Sequence, residues 1–293
     1  MFQFKNCEKA DTVSEAIALL QRIPDSRIIA GGTDILIKLH EGKKGYENLV
    51  DIHGIQELKQ ISINKNGDIV IGSGVSFFKI TESEIIKKHI NVLSVAVSTV
   101  GGPQVRNMAT IGGNVCNGVT SADSASTLFA LNAVMNIEGA DGKRDIPIAD
   151  FYLGPGKVDL KSHEILVSIT ITPDNYVGYG GHFYKYAMRN AMDIATIGCS
   201  SVCKVEDGRL IDLRLAFGVA GPVPLRCSST EEMAAGKEIN SQLLDKIADN
   251  VRNDVNPRTS WRASKEFRLQ IITELARRVT VQAITEAGGP SIE

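Results

Sequence analysis

Behind Thr12-Val13-Ser14-Glu15, a sequence of capping-box form, apolar residues fall at Ala16, Ile17, Leu19 and Leu20. That spacing lays one face of a helix on a core, and Pro24-Asp25-Ser26 stops it. Ile28-Ile29-Ala30 reads as a short buried strand. Gly31-Gly32-Thr33-Asp34 interrupts it, and Ile35, Leu36 and Leu39 resume on a helical face. Leu49-Val50-Asp51-Ile52 is another short strand. Ile61–Ile63 and Ile69–Ile71 flank Asn66-Gly67-Asp68, a hairpin signal, and a helical region follows to about Ser98.

Between Val100 and Ser124 the periodicity is lost. The run VGGPQVRNMATIGGNVCNGVTSADS is dominated by Gly, Asn, Ser and Thr, so it predicts a long stretch without regular structure. Val105, Met108, Ile111 and Val115 are interleaved in it, which argues for an ordered, functional segment. Strands at Ala133–Glu138 and Ile165–Ile171 close this region, with Asp141-Gly142 as a turn. Pro173-Asp174-Asn175 and Gly178-Tyr179-Gly180-Gly181 mark a domain boundary. Beyond it, Phe183–Met188, Ile197–Val205 and Leu210–Val219 read as strands, with Asp207-Gly208 as a hairpin turn. Helices are expected from Ser241 to Arg252 and from Arg262 to about Glu286. The second domain is thus α+β, a small antiparallel sheet with helices on one side. No internal repeat or low-complexity tract is evident.

Composition mainly excludes. The chain has 293 residues, 43% of them hydrophobic and 23% charged, with a net charge of −2, so no global field draws it to nucleic acid or an anionic membrane. No apolar run approaches the roughly 18 residues of a membrane span. Met1-Phe2-Gln3-Phe4-Lys5 lacks the basic-then-apolar form of a leader, so the expectation is a cytoplasmic protein. Cys7, Cys116, Cys199, Cys203 and Cys227 are odd in number and scattered, which suits neither a disulfide framework nor a cluster-ligand set. Cys199 and Cys203 fall on one face of a strand as buried thiols. His40, His53, His89, His163 and His182 are isolated, Glu231-Glu232 reads as a solvated helix start, and no metal ligation is indicated. Any chemistry here belongs to a bound cofactor.

The two glycine passages can hold one. Gly31-Gly32-Thr33 and Thr110-Ile111-Gly112-Gly113-Asn114 could each present bare N–H groups to a diphosphate, with the Thr33 and Thr110 hydroxyls and the Asn114 amide adding bonds. The alternative is a pair of tight turns. Neither matches G-x-G-x-x-G or a phosphate loop. Gly154-Pro155-Gly156-Lys157 has phosphate-loop residues at the wrong spacing and reads as a surface turn.

AGGTDILIKL, ATIGGNVCNGVTSADS, GPGKVDL-KSHEILVSI, FYKYAMRNAMDIATIG and SWRASKEFRLQII, in this order, resemble the FAD-binding medium subunits of the molybdenum hydroxylase family over almost the whole chain. Within the family the resemblance is strongest to the subunits of bacterial xanthine dehydrogenases. It implies an α+β fold: a vanillyl-alcohol-oxidase-type (PCMH-type) FAD-binding domain of two α/β subdomains over residues 1 to 176, and a carbon monoxide dehydrogenase flavoprotein-like C-terminal domain over residues 177 to 293. It implies FAD contacts from Arg27, Ile28, Ile29, Ala30, Gly31, Gly32, Thr33 and Asp34, and from Ala109, Thr110, Ile111, Gly112, Gly113 and Asn114. Asp123 would accept a bond from the cofactor, Ile165 would touch the flavin, and Lys185 would lie near the ring with Tyr184 beside it. No catalytic residue and no metal ligand is implied. Val100 stands where the eukaryotic enzymes carry an aromatic residue, so no stacking partner is assigned.

The implied role is electron transfer in a heterotrimer of purine metabolism. A molybdopterin large subunit would oxidise the substrate, 2Fe–2S clusters of a small subunit would relay electrons to FAD here, and NAD+ would receive them. Alternatives are the equivalent subunit for nicotinate, aldehyde or carbon monoxide, or a scaffold that has lost FAD. Two charged features are expected to be architectural or exposed: Arg189 with Asp193 as a pair across a strand or turn, and Arg262, Lys265 and Arg268 as a helix stripe that is solvated, partner-docking or interdomain.

Overall fold

The computed structural model describes residues 4–292, so the Met1-Phe2-Gln3 part of the leader reading lies outside the described residues. The chain forms three layered units. The first is a three-stranded parallel sheet of Asn6–Lys9, Asn48–Asp51 and Arg27–Ile29, in that order, backed by the helix Val13–Arg22. Thr12 caps that helix by accepting the Glu15 N–H at 3.1 Å, while the Glu15 carboxylate accepts from the Asp11 N–H at 2.9 Å. Its Ala16, Ile17, Leu19 and Leu20 pack with Val50, Ile52 and Leu58 in one aliphatic cluster.

The second unit is an antiparallel sheet ordered Ile61–Ile63, Ile69–Gly72, Glu164–Ile171, Val134–Gly139 and Gly142–Pro147. The expected hairpin at Asn66-Gly67-Asp68 is present, pinned by the Asn64 side chain, which accepts from the Asn66 and Asp68 N–H groups. Helices Phe77–Glu82, Glu84–His89 and Asn91–Ser98 follow as expected. The passage from Val100 to Ser124 departs from expectation. It is not structureless: Pro103–Met108, Ile111–Cys116 and the start of Asp123–Ala130 are helical. Pro103 opens the first, Thr110 caps the second, and burial of Ile111, Val115 and the whole third helix overrides poor helix propensity.

The C-terminal sheet orders Tyr179–Tyr186, Ile197–Glu206, Arg209–Gly218 and Leu225–Arg226. The 22-residue helix Lys265–Glu286 covers one face. The other face is not free: helices Asn91–Ser98 and Asp123–Ala130 of the preceding unit pack on it, and Phe183, Val202 and Ala216 join that unit's core. Cys199 and Cys203 are buried on one side of their strand, as expected, within the C-terminal core. Glu231 corrects the solvated-helix reading. Its carboxylate binds Arg226 at 2.6 and 2.7 Å and accepts the Leu215 N–H at 2.8 Å. Arg268 corrects the stripe reading, since it is only 2% exposed. Arg189 and Asp193 do form a turn, with the Arg189 N–H donating to the carboxylate at 3.0 Å.

Candidate functional site

The two glycine passages meet. A Cβ on Gly31 would stand 1.8 Å from the Met108 carbonyl oxygen and 3.1 Å from the Ala109 Cα, so only glycine permits this contact. A second tie comes from Lys38, on the helix Ile35–His40. Its ammonium pairs with Asp34 at 2.5 Å and donates to the Asn117 side chain at 2.9 Å, at the end of Ile111–Cys116. Residues 79 apart in sequence thereby fix the spacing of the two loops.

The loops differ in what they expose. The main-chain N–H groups of Gly31, Gly32, Thr33, Asp34 and Ile35 have no acceptor among the described residues; the first bonds of the turn start at Leu36, which donates to the Gly32 carbonyl. Gly32 has φ +73°, a value that swings the chain between strand and helix. The second loop corrects the idea of two amide nests. Ile111 donates to the Val75 carbonyl at 3.0 Å, Gly112 to Ser73 at 2.9 Å, and Asn114 to Thr110 at 3.0 Å. The Gly113 N–H goes to the Thr110 hydroxyl at 3.1 Å, and the Asn114 side chain accepts from Ser124 at 2.6 Å. This loop is spent on pairing with the Ser73–Ser76 turn, and Ser76 bridges to Thr110. What it offers is surface: a Cβ on Gly113 would meet only the Thr110 hydroxyl, at 3.1 Å, whereas Gly112 is packed against Ser73. A glycine met by one side-chain atom and no backbone allows a ligand to come close to the main chain.

Asp123 and Lys185, 62 residues apart, form an ion pair of 2.7 Å, their side chains 7% and 9% exposed. Lys185 also donates to the Thr99 carbonyl at 3.1 Å, so it joins the C-terminal sheet to two helices of the preceding unit. Burial raises the Asp123 pKa to about 6 despite the opposing charge of Lys185. Its Oδ1 is buried without a partner. A buried carboxylate oxygen left over in this way calls for a donor that the chain does not supply.

The other expected residues are placed differently. Arg27 is exposed and donates to the Gly45 carbonyl at 3.3 Å, while Ile28 and Ala30 lean on the N-terminal aliphatic cluster beside Ile29. Ala109, Thr110 and Ile111 are buried. Ile165 is 1% exposed within that same aliphatic cluster, so its side chain offers no surface to the cleft. Tyr184 is 49% exposed and lines a groove against the long helix with His182 and Tyr186, on the strand face opposite to Lys185. Sequence reasoning missed Lys38, Ser73 and Thr99. Only Lys38 left a signal, one helical turn after Asp34. Among the described residues no cluster of His, Cys, Asp or Glu could hold a metal, and no helix is long and apolar enough to cross a membrane.

The arrangement fits FAD: unpaired amides in one loop, an open glycine in the other, and a buried carboxylate oxygen short of a donor. Comparison with known proteins gives the same cofactor. Residues 2–173 match the family model described as "FAD binding domain in molybdopterin dehydrogenase", and residues 182–283 match that of the carbon monoxide dehydrogenase flavoprotein C-terminal domain. The chain is 45% identical over 289 residues, 99% of both chains, to the xanthine dehydrogenase FAD-binding subunit of Escherichia coli O157:H7. It is 27% identical to the carbon monoxide dehydrogenase medium chain of Hydrogenophaga pseudoflava, covering 91% of this chain and 92% of that one. Among solved structures, the carbon monoxide dehydrogenase from Hydrogenophaga pseudoflava that lacks the Mo-pyranopterin moiety has a chain that superposes with a TM-score of 0.93 at 26% identity, covering 98% of this chain and 99% of that one. Quinoline 2-oxidoreductase from Pseudomonas putida 86 gives 0.92 at 25% identity, covering 98% and 99%.

Proposed function

Because the chain belongs to the family of FAD-binding domains in molybdopterin dehydrogenases, as an oxidoreductase subunit with FAD as its cofactor, we propose that it serves a xanthine dehydrogenase and delivers electrons to NAD+. The observation that carries the substrate assignment is the 45% identity over 99% of both chains with a subunit so named, against 27% for the carbon monoxide enzyme chain. The partners in this reading are a 2Fe–2S small subunit and a molybdopterin large subunit, in the cytoplasm. The division into an FAD-binding domain to residue 176 and a C-terminal domain from 177 belongs to the same proposal, supported by family matches that stop at 173 and restart at 182.

Bound FAD supplies reversible two-electron and one-electron chemistry. The chain's own residues bind and orient it. The free amides of Gly31 to Ile35 take phosphate oxygens. Gly113 leaves room for close approach, and Asp123 Oδ1 accepts a cofactor hydroxyl or N–H. Lys185 holds the Asp123 carboxylate in place and offsets its charge, so that the Oδ1 acceptor would be kept in position for FAD. Ala109, Thr110, Ile111, Gly112 and Asn114 form the rigid wall behind Gly113; Arg27, Ile28, Ile29 and Ala30 form the strand that aims the first loop. Ile165 and Tyr184 contribute through the main chain and the rim.

The test is co-purification from the native host and assay of the complex. NAD+-dependent xanthine oxidation that is lost with this subunit's flavin supports the reading. A complex that carries FAD yet oxidises another substrate, and not xanthine, overturns it.

A further inference from the structure

Among the described residues, buried polar side-chain atoms without partners form two groups, with Tyr152 Oη standing apart from both. Asp123 Oδ1, Ser126 Oγ and Ser73 Oγ lie on or against the elements of the cofactor cleft. Thr196 Oγ1, Arg262 Nε and Arg268 Nε form a second group, outside it. Arg268 links the three. Its guanidinium donates to the Thr196 carbonyl and, at 2.9 Å, to the Ser260 hydroxyl, which also accepts the Arg262 N–H at 3.3 Å. Ser260 and Ala263 bridge to make a tight turn with Trp261 and Arg262 at its tip.

The charge at this turn is uncompensated. Of the acids nearest in sequence, Asp254 accepts from Ser229 and Thr230 and Glu274 pairs with Arg278, which leaves Glu266 alone beside Arg258, Arg262, Lys265 and Arg268. Elsewhere in the same domain Arg214, Arg226, Arg277 and Arg278 each face a carboxylate, while Arg209 and Arg252 donate to the Gly236 carbonyl and the Thr273 hydroxyl. Arg258, Arg262 and Arg268 form no ion pair among the described residues, and burial together with the charges of Arg258 and Arg262 lowers the Arg268 pKa. Arg268 also sits in the first turn of the long helix, where the macrodipole disfavours a cation. Two buried guanidinium N–H donors with no acceptor, in a cluster of like charges, lack an anion. Planar guanidinium forks match the oxygens of a phosphoryl group. Beside them Trp261 is 77% exposed, with Arg262 over one ring face at 4.2 Å.

We propose that the turn Ser260–Ala263, with Arg258, Arg262 and Arg268, is a phosphoryl-binding site separate from the glycine loops. The site takes a phosphate group either free or carried by a nucleotide, whose base would lie against Trp261. It stands independently of the substrate assigned above.

Trp261 is the chain's one tryptophan, so its fluorescence reports on this turn. The full chain, loaded with FAD to occupy the cofactor cleft, is titrated with sodium phosphate, with ADP, and with sodium chloride at matched ionic strength. Phosphate should change the emission saturably and chloride should not. ADP binding at least about tenfold tighter than phosphate identifies a nucleotide site, and equal affinity identifies free phosphate. Arg262→Gln should weaken the phosphate midpoint at least about tenfold, the loss of one charge-assisted contact, without lowering the melting temperature. Arg268 is left intact because it holds the turn to Thr196. Equal responses to phosphate and chloride, or an unchanged phosphate midpoint in Arg262→Gln, would overturn the proposal.

Discussion

Replacing Lys185 by Met should give a destabilisation that depends on pH in a defined sense. Asp123 is held at a pKa of about 6 in the folded chain, against an ordinary 3.8. The folded state therefore binds this proton more tightly than the unfolded state. Ionising Asp123 costs nothing below pH 3.8, costs progressively more as the pH rises, and reaches about 3 kcal/mol above pH 6. Lys185 is the only cation paired with it among the described residues, at 2.7 Å. Removing the ammonium leaves a buried carboxylate uncompensated at pH 8, which costs about 3–5 kcal/mol. At pH 5 the carboxylate is largely protonated, and only the hydrogen bonds to Asp123 and the Thr99 carbonyl are lost, about 1–2 kcal/mol. Urea unfolding of wild type and Lys185→Met at the two pH values measures both. Adding Asp123→Asn should restore most of the loss at pH 8. An equal loss at both pH values, or no rescue by Asn, would refute the reasoning.

Other expectations follow from the geometry. Gly113→Val should keep the fold at a cost of about 0.5–2 kcal/mol, because the new Cβ presses at 3.1 Å on the Thr110 hydroxyl that caps this helix, yet should weaken FAD retention at least about 100-fold by filling the cradle; stoichiometric flavin in the purified variant would contradict this. Gly31→Ala, by contrast, should lower stability by about 3 kcal/mol or more, since its Cβ would collide with the Met108 carbonyl 1.8 Å away, and chemical denaturation would detect it. Glu231→Gln removes the charge opposite Arg226 in a mostly buried bidentate pair, and should cost about 3 kcal/mol in the same assay. Native thiol titration should find Cys7 accessible but slowed at neutral pH, since partial burial and the Asp51 charge raise its pKa, with Cys199, Cys203 and Cys227 reacting only on unfolding; fast labelling of those three would disprove their burial.

Local signals in the sequence carried far. Thr12 with Glu15, Asn66-Gly67-Asp68 and Asp207-Gly208 act within a few residues, and elements appear where those signals put them. The alternation that buries Cys199 and Cys203 together is likewise a two-residue rule. What was illegible depends on residues far apart. Helices Ile111–Cys116 and Asp123–Ala130 exist because their apolar positions meet a core shared by the second unit's sheet and the C-terminal sheet, which propensity does not register. Glu231 looks like a surface acid until Arg226 and the Leu215 N–H close on it from two adjacent strands. Arg268 fits a solvated stripe until the Thr196 carbonyl, 72 positions earlier, takes its guanidinium.

The cofactor site shows the same split. Glycine pairs marked both loops, but nothing in their composition says that one keeps its amides free while the other spends them on Ser73 and Val75. Asp123 and Lys185 were each assigned by resemblance as separate contacts, and only the fold makes them partners.

That asymmetry is open to direct measurement by amide hydrogen exchange on the full chain, with and without FAD. The amides of Gly31 to Ile35 should exchange fast without the cofactor and slow markedly when FAD is added. Those of Ile111 to Asn114, already bonded within the chain, should be protected in both states. Unchanged exchange at Gly31 to Ile35 in the flavin-saturated protein would contradict the account.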